Sequence, residues 1–177
     1  MDHLEKHPSG LLIRLQAQVL TCVTARAFSR RGKMVCHRPA REALELYMDC
    51  TIQWMNELTV QEKVCIVRTG RRLYRLARHL GSSIRRITGF TQEEDLQRLV
   101  FLLYRNIAIE MQGNIPGQIL VRACFFSCRY TPAQCRMMSN MDDGLVTGIV
   151  GGGKLTFSQR LTEGCGMCRA CFKAGRK

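Results

Sequence analysis

Six of the ten cysteines in this chain lie in two short clusters, and these clusters restrict its possible folds more than any other feature does. The first cluster consists of Cys124, Cys128 and Cys135, and the second of Cys165, Cys168 and Cys171. A C-x2-C pair at a glycine-bearing turn lets two thiolates point at one ion while nearby amides hydrogen-bond the sulfurs. The sequence therefore predicts a cysteine-centred site in its C-terminal third.

Four of these thiols are the expected ligands. Cys165 and Cys168 form the C-x2-C pair. Cys128 is expected at the end of a strand and Cys135 in the first turn of the next helix, where the positive helix end lowers the pKa of a thiol. All-thiolate ligation suits either zinc or an iron–sulfur cluster, and the spacing does not choose between them. We expect one such centre, held by Cys128, Cys135, Cys165 and Cys168.

The two remaining cysteines of the clusters are expected to have lesser roles. Cys124 precedes Cys128 by four positions, so on an extended strand both side chains face the same side, which makes Cys124 an alternate ligand or a neighbouring thiol. Cys171 lies three positions after Cys168, so it faces the opposite side of a strand and is the spare cysteine of its cluster. A redox-switch thiol pair and inert packing of small apolar side chains stay open as alternatives.

The order of helix-like and strand-like patterns predicts an α+β fold. Apolar spacing and capping residues predict helices over residues 11–28, 39–56, 59–80, 92–111 and 131–149. Short runs of strand formers predict strands over residues 119–128, 154–160 and 168–172, with the last two antiparallel. We expect a helical part packed on a small antiparallel sheet with the cysteine cluster. The expected segments are a flexible tail 1–10, a helical part 11–113, a cysteine-rich α+β part 114–172 and a basic tail 173–177.

The charge of the chain is strongly positive, with a formal net charge of +13 at pH 7. Much of the surplus lies on the third predicted helix and the residues after it, which carry no acidic residue between Lys63 and Phe90. One interpretation is a solvated polar face over an apolar stripe. The other is a surface that contacts nucleic acid or an acidic signalling partner. The arginines of this candidate surface are Arg68, Arg71, Arg72, Arg75, Arg78, Arg85 and Arg86.

Cysteine usage and hydropathy favour a cytoplasmic protein. No apolar run reaches the roughly 20 residues that a membrane span needs. Reduced thiols are the rule in the cytoplasm, so clustered cysteines there more often bind metal or carry out redox chemistry than form disulfides. The usual nucleophile and phosphate-loop motifs are absent from the sequence, and the adjacent Asp142 and Asp143 should point apart on a helix. The sequence therefore favours a protein that is not an enzyme.

The cysteine-rich part resembles a loose group of small α+β domains. The shared motifs are C-x3-C, P-A-Q-C, D-D-G-L, L-x-F and E-G-C-x2-C-x-A-C-F. The group includes the cysteine-containing methanogen output domain, 4-vinyl-reductase-like domains and the L-2-amino-thiazoline-4-carboxylate hydrolase-like family. The resemblance covers residues 60–172 and is greatest to the output domain, because Cys128, Cys135, Cys165 and Cys168 match its four-cysteine pattern. The additional Cys171 and the basic helical front depart from that pattern.

These features lead to one preferred function and two alternatives. The resemblance to the output domain implies metal or redox sensing coupled to signalling, so we expect a regulatory module that binds zinc or an iron–sulfur cluster. Resemblance to the hydrolase-like family implies instead an enzyme that opens a small thiazoline-type ring. The basic charge allows a third interpretation, a nucleic-acid-binding protein with a structural zinc.

Overall fold

The computed structural model describes residues 9–59 and 63–175 and confirms the α+β class. Within these residues there are five helices: α1 Ser9–Ala27, α2 Ala40–Thr59, α3 Lys63–Thr88, α4 Glu93–Asn106 and α5 Pro132–Val150. There are four strands: β1 Ile109–Gly113, β2 Gly117–Cys124, β3 Gly153–Gln159 and β4 Cys168–Ala174. Most of the expected N-terminal tail, the predicted start of the third helix and the last two residues of the expected basic tail lie outside the described residues.

The chain divides into two compact units, residues 1–69 and 70–177. The expected boundary was at residue 113, after the fourth helix. The difference arises because α4 belongs with the sheet. Its buried residues include Tyr104, whose hydroxyl donates a hydrogen bond to Asp142 on α5 at 2.9 Å. The helix therefore helps to form the core of the second unit.

The first unit is built around the pairing of α1 and α2. Thr24 on α1 and Tyr47 on α2 are buried, and their hydroxyl oxygens lie 3.2 Å apart in a hydrogen bond. The rings of Phe28 and Trp54 pack with centroids 6.0 Å apart. After α1, the side-chain oxygen of Gln18 accepts a hydrogen bond from the backbone N–H of Val35 at 2.7 Å, which holds the connection to α2 against the helix.

The second unit contains a four-stranded antiparallel sheet in the order β1-β2-β4-β3. The predicted antiparallel pairing of the last two strands is confirmed, with Leu155 opposite Phe172, and both side chains are buried. Asp143 on α5 accepts a hydrogen bond from the backbone N–H of Leu155 at 2.7 Å. This bond joins α5 to an edge strand and fixes how the helix lies along the sheet.

Strand β1 is a difference from the sequence prediction. The fourth helix was expected to continue to residue 111, but α4 ends at Asn106, and Ala108 takes a positive φ of 56°. The helical interpretation relied on the apolar residues Ile107 and Met111. Together with Ile109 they also alternate with period two, which is the pattern of a half-buried strand. These residues form a strand rather than a helix because β1 pairs with β2 in the sheet.

Helix α3 also differs from its prediction, because it was expected to stop at Gly81 and instead continues to Thr88. Gly81 lies inside α3, where this helix packs closely against α5. A Cβ on Gly81 would lie 2.9 Å from the backbone nitrogen of Ile149 on α5, and one on Gly148 would lie 2.8 Å from the backbone nitrogen of Ser82. A Cβ on Gly144 would fall inside contact distance of the Tyr74 carbonyl oxygen. Three glycines therefore let the backbones of α3 and α5 touch.

We predict that Gly148→Ala destabilises the second unit. The added methyl group meets backbone atoms of α3, which cannot turn aside as a side chain could. Overpacking of this kind costs about 1–3 kcal/mol, and it should outweigh the roughly 1 kcal/mol that alanine gains in helix propensity. Urea denaturation followed by circular dichroism measures the change. Gly166→Ala is the control, because nothing lies within 4 Å of the added atom. Equal stability of both variants would contradict the close crossing.

Candidate functional site

Cys135 is placed by the start of α5, which the sequence predicted correctly. Thr131 is the N-cap, and Pro132 is the first helical residue. The side chain of Thr131 accepts a hydrogen bond from the N–H of Gln134, and the side chain of Gln134 accepts one from the N–H of Thr131 at 2.9 Å. This reciprocal capping box fixes the first turn. Cys135 follows in that turn and is half-buried.

Cys168 begins β4 and is buried. Its sulfur accepts a hydrogen bond from the backbone N–H of Leu161 at 3.3 Å. Cys171 lies on the same strand and is exposed, so the two cysteines face opposite sides, as the alternation predicted. Cys165 is half-buried in the turn before β4, between Gly164 and Gly166.

The two cysteines near the end of β2 do not share a strand face, contrary to the prediction. The strand ends at Cys124, and a short 3-10 turn, Phe125–Cys128, follows. Cys128 is exposed, and its thiol donates a hydrogen bond to the carbonyl oxygen of Phe125 at 3.1 Å. Cys124 is half-buried. The turn thus separates the two thiols that an unbroken strand would have aligned.

Three thiols and one carboxyl group form what we call the Asp142 cluster: Cys124, Cys135, Asp142 and Cys168. Cys168 interacts electrostatically with both Cys124 and Cys135, and each of the three interacts with Asp142. The members come from β2, α5 and β4, which are distant in sequence. Cys124, expected only as an alternate ligand, is therefore part of the group that the fold brings together.

Burial raises the pKa of every thiol in the Asp142 cluster. Loss of solvent raises the pKa of Cys124 to about 12 and also raises the pKa values of Cys135 and Cys168. The expectation that the helix N-terminus would lower the pKa of Cys135 is therefore wrong, because desolvation outweighs the helix dipole at this position. Neutral, desolvated thiols are poor nucleophiles.

Asp142 is the one group of the Asp142 cluster whose pKa lies near neutral pH. Desolvation raises the pKa of its carboxyl group to about 6, opposed by the hydrogen bond from Tyr104 and by the positive charge of Arg160. Asp142 and Asp143 point apart, as predicted, since Asp142 meets Tyr104 while Asp143 accepts the Leu155 N–H. A carboxyl group that changes its charge near neutral pH is a common mark of a functional site.

Two polar atoms beside the Asp142 cluster have no hydrogen-bond partner within the described part of the chain. They are Nε of Arg160 and Oγ1 of Thr162, and both atoms are buried. Arg160 interacts with Asp142, Cys135 and Cys168, and the Thr162 hydroxyl faces Cys135, where it would donate to a thiolate. Burying a donor without a partner costs about 1–3 kcal/mol, so Nε of Arg160 favours a polar ligand at this place, whereas the Thr162 hydroxyl has the sulfur of Cys135 within reach.

The predicted metal ligands are not assembled as a ready metal site. Among residues 9–59 and 63–175, no three His, Cys, Asp or Glu side chains are placed so that they could hold a metal ion. The donor chemistry of the Asp142 cluster suits zinc or an iron–sulfur cluster, since it offers three thiols and a carboxylate. The positions of these donors do not form a site for such a metal centre in this structure. The ligand set of four cysteines remains a prediction.

The candidate basic surface lies mostly on the exposed side of α3. Arg68, in the first unit, is exposed. Arg72 and Arg85 are half-buried, and Arg85 donates a hydrogen bond to the carbonyl oxygen of Val150 at the end of α5, at 2.8 Å. The exposed arginines of the second unit are Arg71, Arg75, Arg78 and Arg86.

No protein-family model matches this chain, and no curated protein or solved structure matches it either. The resemblance to the methanogen output domain and its relatives is therefore carried by the quoted motifs alone. In the part of the chain that the structure describes, no helix is both long enough and apolar enough to cross a membrane.

Sequence reasoning missed the role of Asp142 and its neighbours Tyr104 and Arg160. A signal was present, because Cys135, Met138, Asp142, Leu145 and Ile149 follow one another at spacings of three and four. Such spacing places residues on one side of a helix, and here Met138, Leu145 and Ile149 are buried. A carboxylate in that apolar stripe indicates a specific partner. No comparable pattern in the sequence indicated that Tyr104 or Arg160 would interact with Asp142.

We predict that Asp142→Asn alters stability in a pH-dependent way. The pKa of Asp142 is about 6 in the fold against 3.8 for the ordinary group, so the folded state binds the proton more tightly. Ionisation therefore destabilises the wild-type fold progressively as the pH rises from about 4 to about 6, with no further loss above that. Asparagine carries no charge, and the stability of the variant relative to wild type should rise by about 1–3 kcal/mol over this range.

Urea denaturation at a series of pH values measures this difference. Tyr104→Phe provides a matched comparison, because removing the hydroxyl donor should raise the pKa of Asp142 further and move the transition to higher pH. A stability difference between Asp142→Asn and wild type that stays constant with pH would contradict the raised pKa.

Proposed function

We propose that the second unit is a sensory or regulatory module that responds to zinc or an iron–sulfur cluster at the thiols of the Asp142 cluster. The observation that carries the proposal is that Cys124, Cys135 and Cys168, from three separate segments, all lie within electrostatic range of Asp142. Three thiols beside a carboxyl group offer a donor set whose chemistry suits zinc or an iron–sulfur cluster. The raised pKa values argue against a reactive redox pair in the absence of a cation, and a metal ion would have to displace the thiol protons on binding.

The proposed ligands differ partly from those expected from spacing. Cys135 and Cys168 remain, while Cys124 takes the place of the exposed Cys128. Cys165 stays a candidate because it lies in the turn before β4, and a salt bridge between Arg136 on α5 and Glu163 ties that segment to the helix. Binding would require these side chains to move closer together than they are here, since no ready group of three is present in the described residues.

The test of this proposal is metal content. Protein purified without oxygen should contain zinc or iron in stoichiometric amount by elemental analysis, and a broad absorption band would identify an iron–sulfur cluster. We expect Cys135→Ser and Cys168→Ser each to lose the metal, because each removes a thiol of the Asp142 cluster. Cys171→Ser is the matched control on the same strand, since Cys171 is exposed on the other side.

Two outcomes would overturn the metal-sensing proposal. One is wild-type protein that holds no metal after anaerobic purification and takes up none from added zinc. The other is loss of metal from Cys171→Ser to the same extent as from Cys168→Ser, which would mean that binding is adventitious. Retention by Cys128→Ser together with loss from Cys124→Ser would support the revised ligand set.

A second candidate function, an enzyme of the thiazoline-hydrolase type, is favoured by one observation. Asp142 has a pKa of about 6 and is flanked by Tyr104 and Arg160, so it has the properties of a general acid or base working near neutral pH. Ring opening of a thiazoline carboxylate should then be lost in Asp142→Asn and retained in Cys171→Ser. Turnover by metal-free wild-type protein would favour the enzyme, and no turnover under any condition would exclude it for this substrate class.

The proposal also includes the partner and the compartment. The exposed arginines of α3 would present the output of the module to a nucleic acid or an acidic signalling partner. A cytoplasmic location belongs to the proposal because it would keep the cysteines reduced, and all ten cysteines are free thiols in this structure.

A further inference from the structure

The exposed side of α3 carries a regular row of positive charge that we call the arginine stripe: Arg71, Arg75, Arg78 and Arg86. Successive members of the row are three, four or eight positions apart, so they lie on one side of the helix. At 1.5 Å per residue the stripe is about 22 Å long. All four side chains are exposed. The result is a linear array of charge that faces solvent.

Among the described residues, no carboxylate is paired with a member of this stripe. No acidic residue occurs from position 63 to position 92. Within the described residues, no ion pair joins any of the four arginines to a carboxylate, although other surface arginines such as Arg41 and Arg98 do form such pairs. Four unpaired like charges on one helix repel one another, so the arrangement favours binding of an external polyanion.

A cleft of about 350 Å³ lies at the C-terminal end of the stripe. Its lining includes Arg86 together with the hydroxyl-bearing residues Ser82 and Thr91. Guanidinium and hydroxyl groups are among the donors that contact phosphate oxygens in protein–nucleic acid complexes. The cleft has room for a phosphate group where the charged row ends.

We infer that the arginine stripe binds the phosphate backbone of a nucleic acid duplex without reading its sequence. A duplex offers negative charges at regular intervals along a line, which matches a row of arginines. A stable protein partner would instead need an apolar core in its interface, and interface cores are depleted of charged residues. Between Arg71 and Arg86 the exposed residues of α3 are polar or charged, and the two large exposed apolar residues of this helix, Val67 and Ile87, lie outside that span.

This inference rests on the proposed function only for the idea that α3 is the output surface of the module. Binding of nucleic acid can be measured directly, with or without a metal. The double variant Cys135→Ser, Cys168→Ser separates the two ideas. If this double variant loses the metal but still binds the duplex, then nucleic acid binding by the arginine stripe does not depend on the metal site.

The experiment is fluorescence anisotropy of the full chain with short labelled DNA and RNA duplexes of unrelated sequences, at salt concentrations from about 50 to 200 mM. We expect binding whose logarithm falls linearly with the logarithm of salt concentration. Arg71→Gln with Arg75→Gln should reduce the slope by about 2 and weaken binding similarly on every sequence. The control pair is Arg122→Gln with Arg169→Gln, exposed arginines of β2 and β4 that remove the same charge from the same unit.

Three results would overturn the inference. The first is no binding to either duplex at the lowest salt concentration. The second is an equal loss in the control pair, which would attribute binding to net charge alone. The third is unchanged duplex binding in the stripe variant together with lost binding to polyglutamate, which would assign the stripe to an acidic protein partner.

Discussion

The contact between α3 and α5 is the constraint on which the second unit depends. At Gly81, Gly144 and Gly148 no side chain separates the two helices, so their backbones meet directly. The same helix α5 also contacts the sheet, where Asp143 accepts a hydrogen bond from β3. Backbone atoms cannot repack as side chains do, so tight packing at this point couples the positions of the two helices.

Local signals in the sequence predicted much of the fold. Thr131 and Pro132 predicted the start of α5, and the alternation of apolar and polar residues after Gly153 predicted β3. Both predictions were possible because helix capping and strand pleating depend on a few neighbouring residues. The end of α4 and the continuation of α3 were not predictable in this way. A glycine such as Gly81 is common just after the end of a helix, and it is also common inside a helix that packs closely against another. The sequence near Gly81 does not distinguish the two cases, because the difference lies in the contact with α5.

The site was less predictable than the fold. The sequence identified the cysteine clusters, and on the strand β4 it separated Cys168 from Cys171 correctly. It paired Cys128 with Cys135, since nothing local showed that β2 would end at Cys124 and give way to a 3-10 turn. It also assigned the wrong direction to the pKa of Cys135, because burial depends on what the tertiary fold places around the thiol.

The glycine crossing has a mechanical consequence for α5. Cys135 lies in the first turn of this helix and Gly148 near its last, with Asp142 between them. Helix α5 is held against α3 at two successive turns, at Gly144 and at Gly148, and the Asp143 bond to β3 lies beside the first of them. Cys135 lies nine residues before Gly144, so the thiol is about 13 Å along the helix axis from the part of α5 where the fold allows least movement.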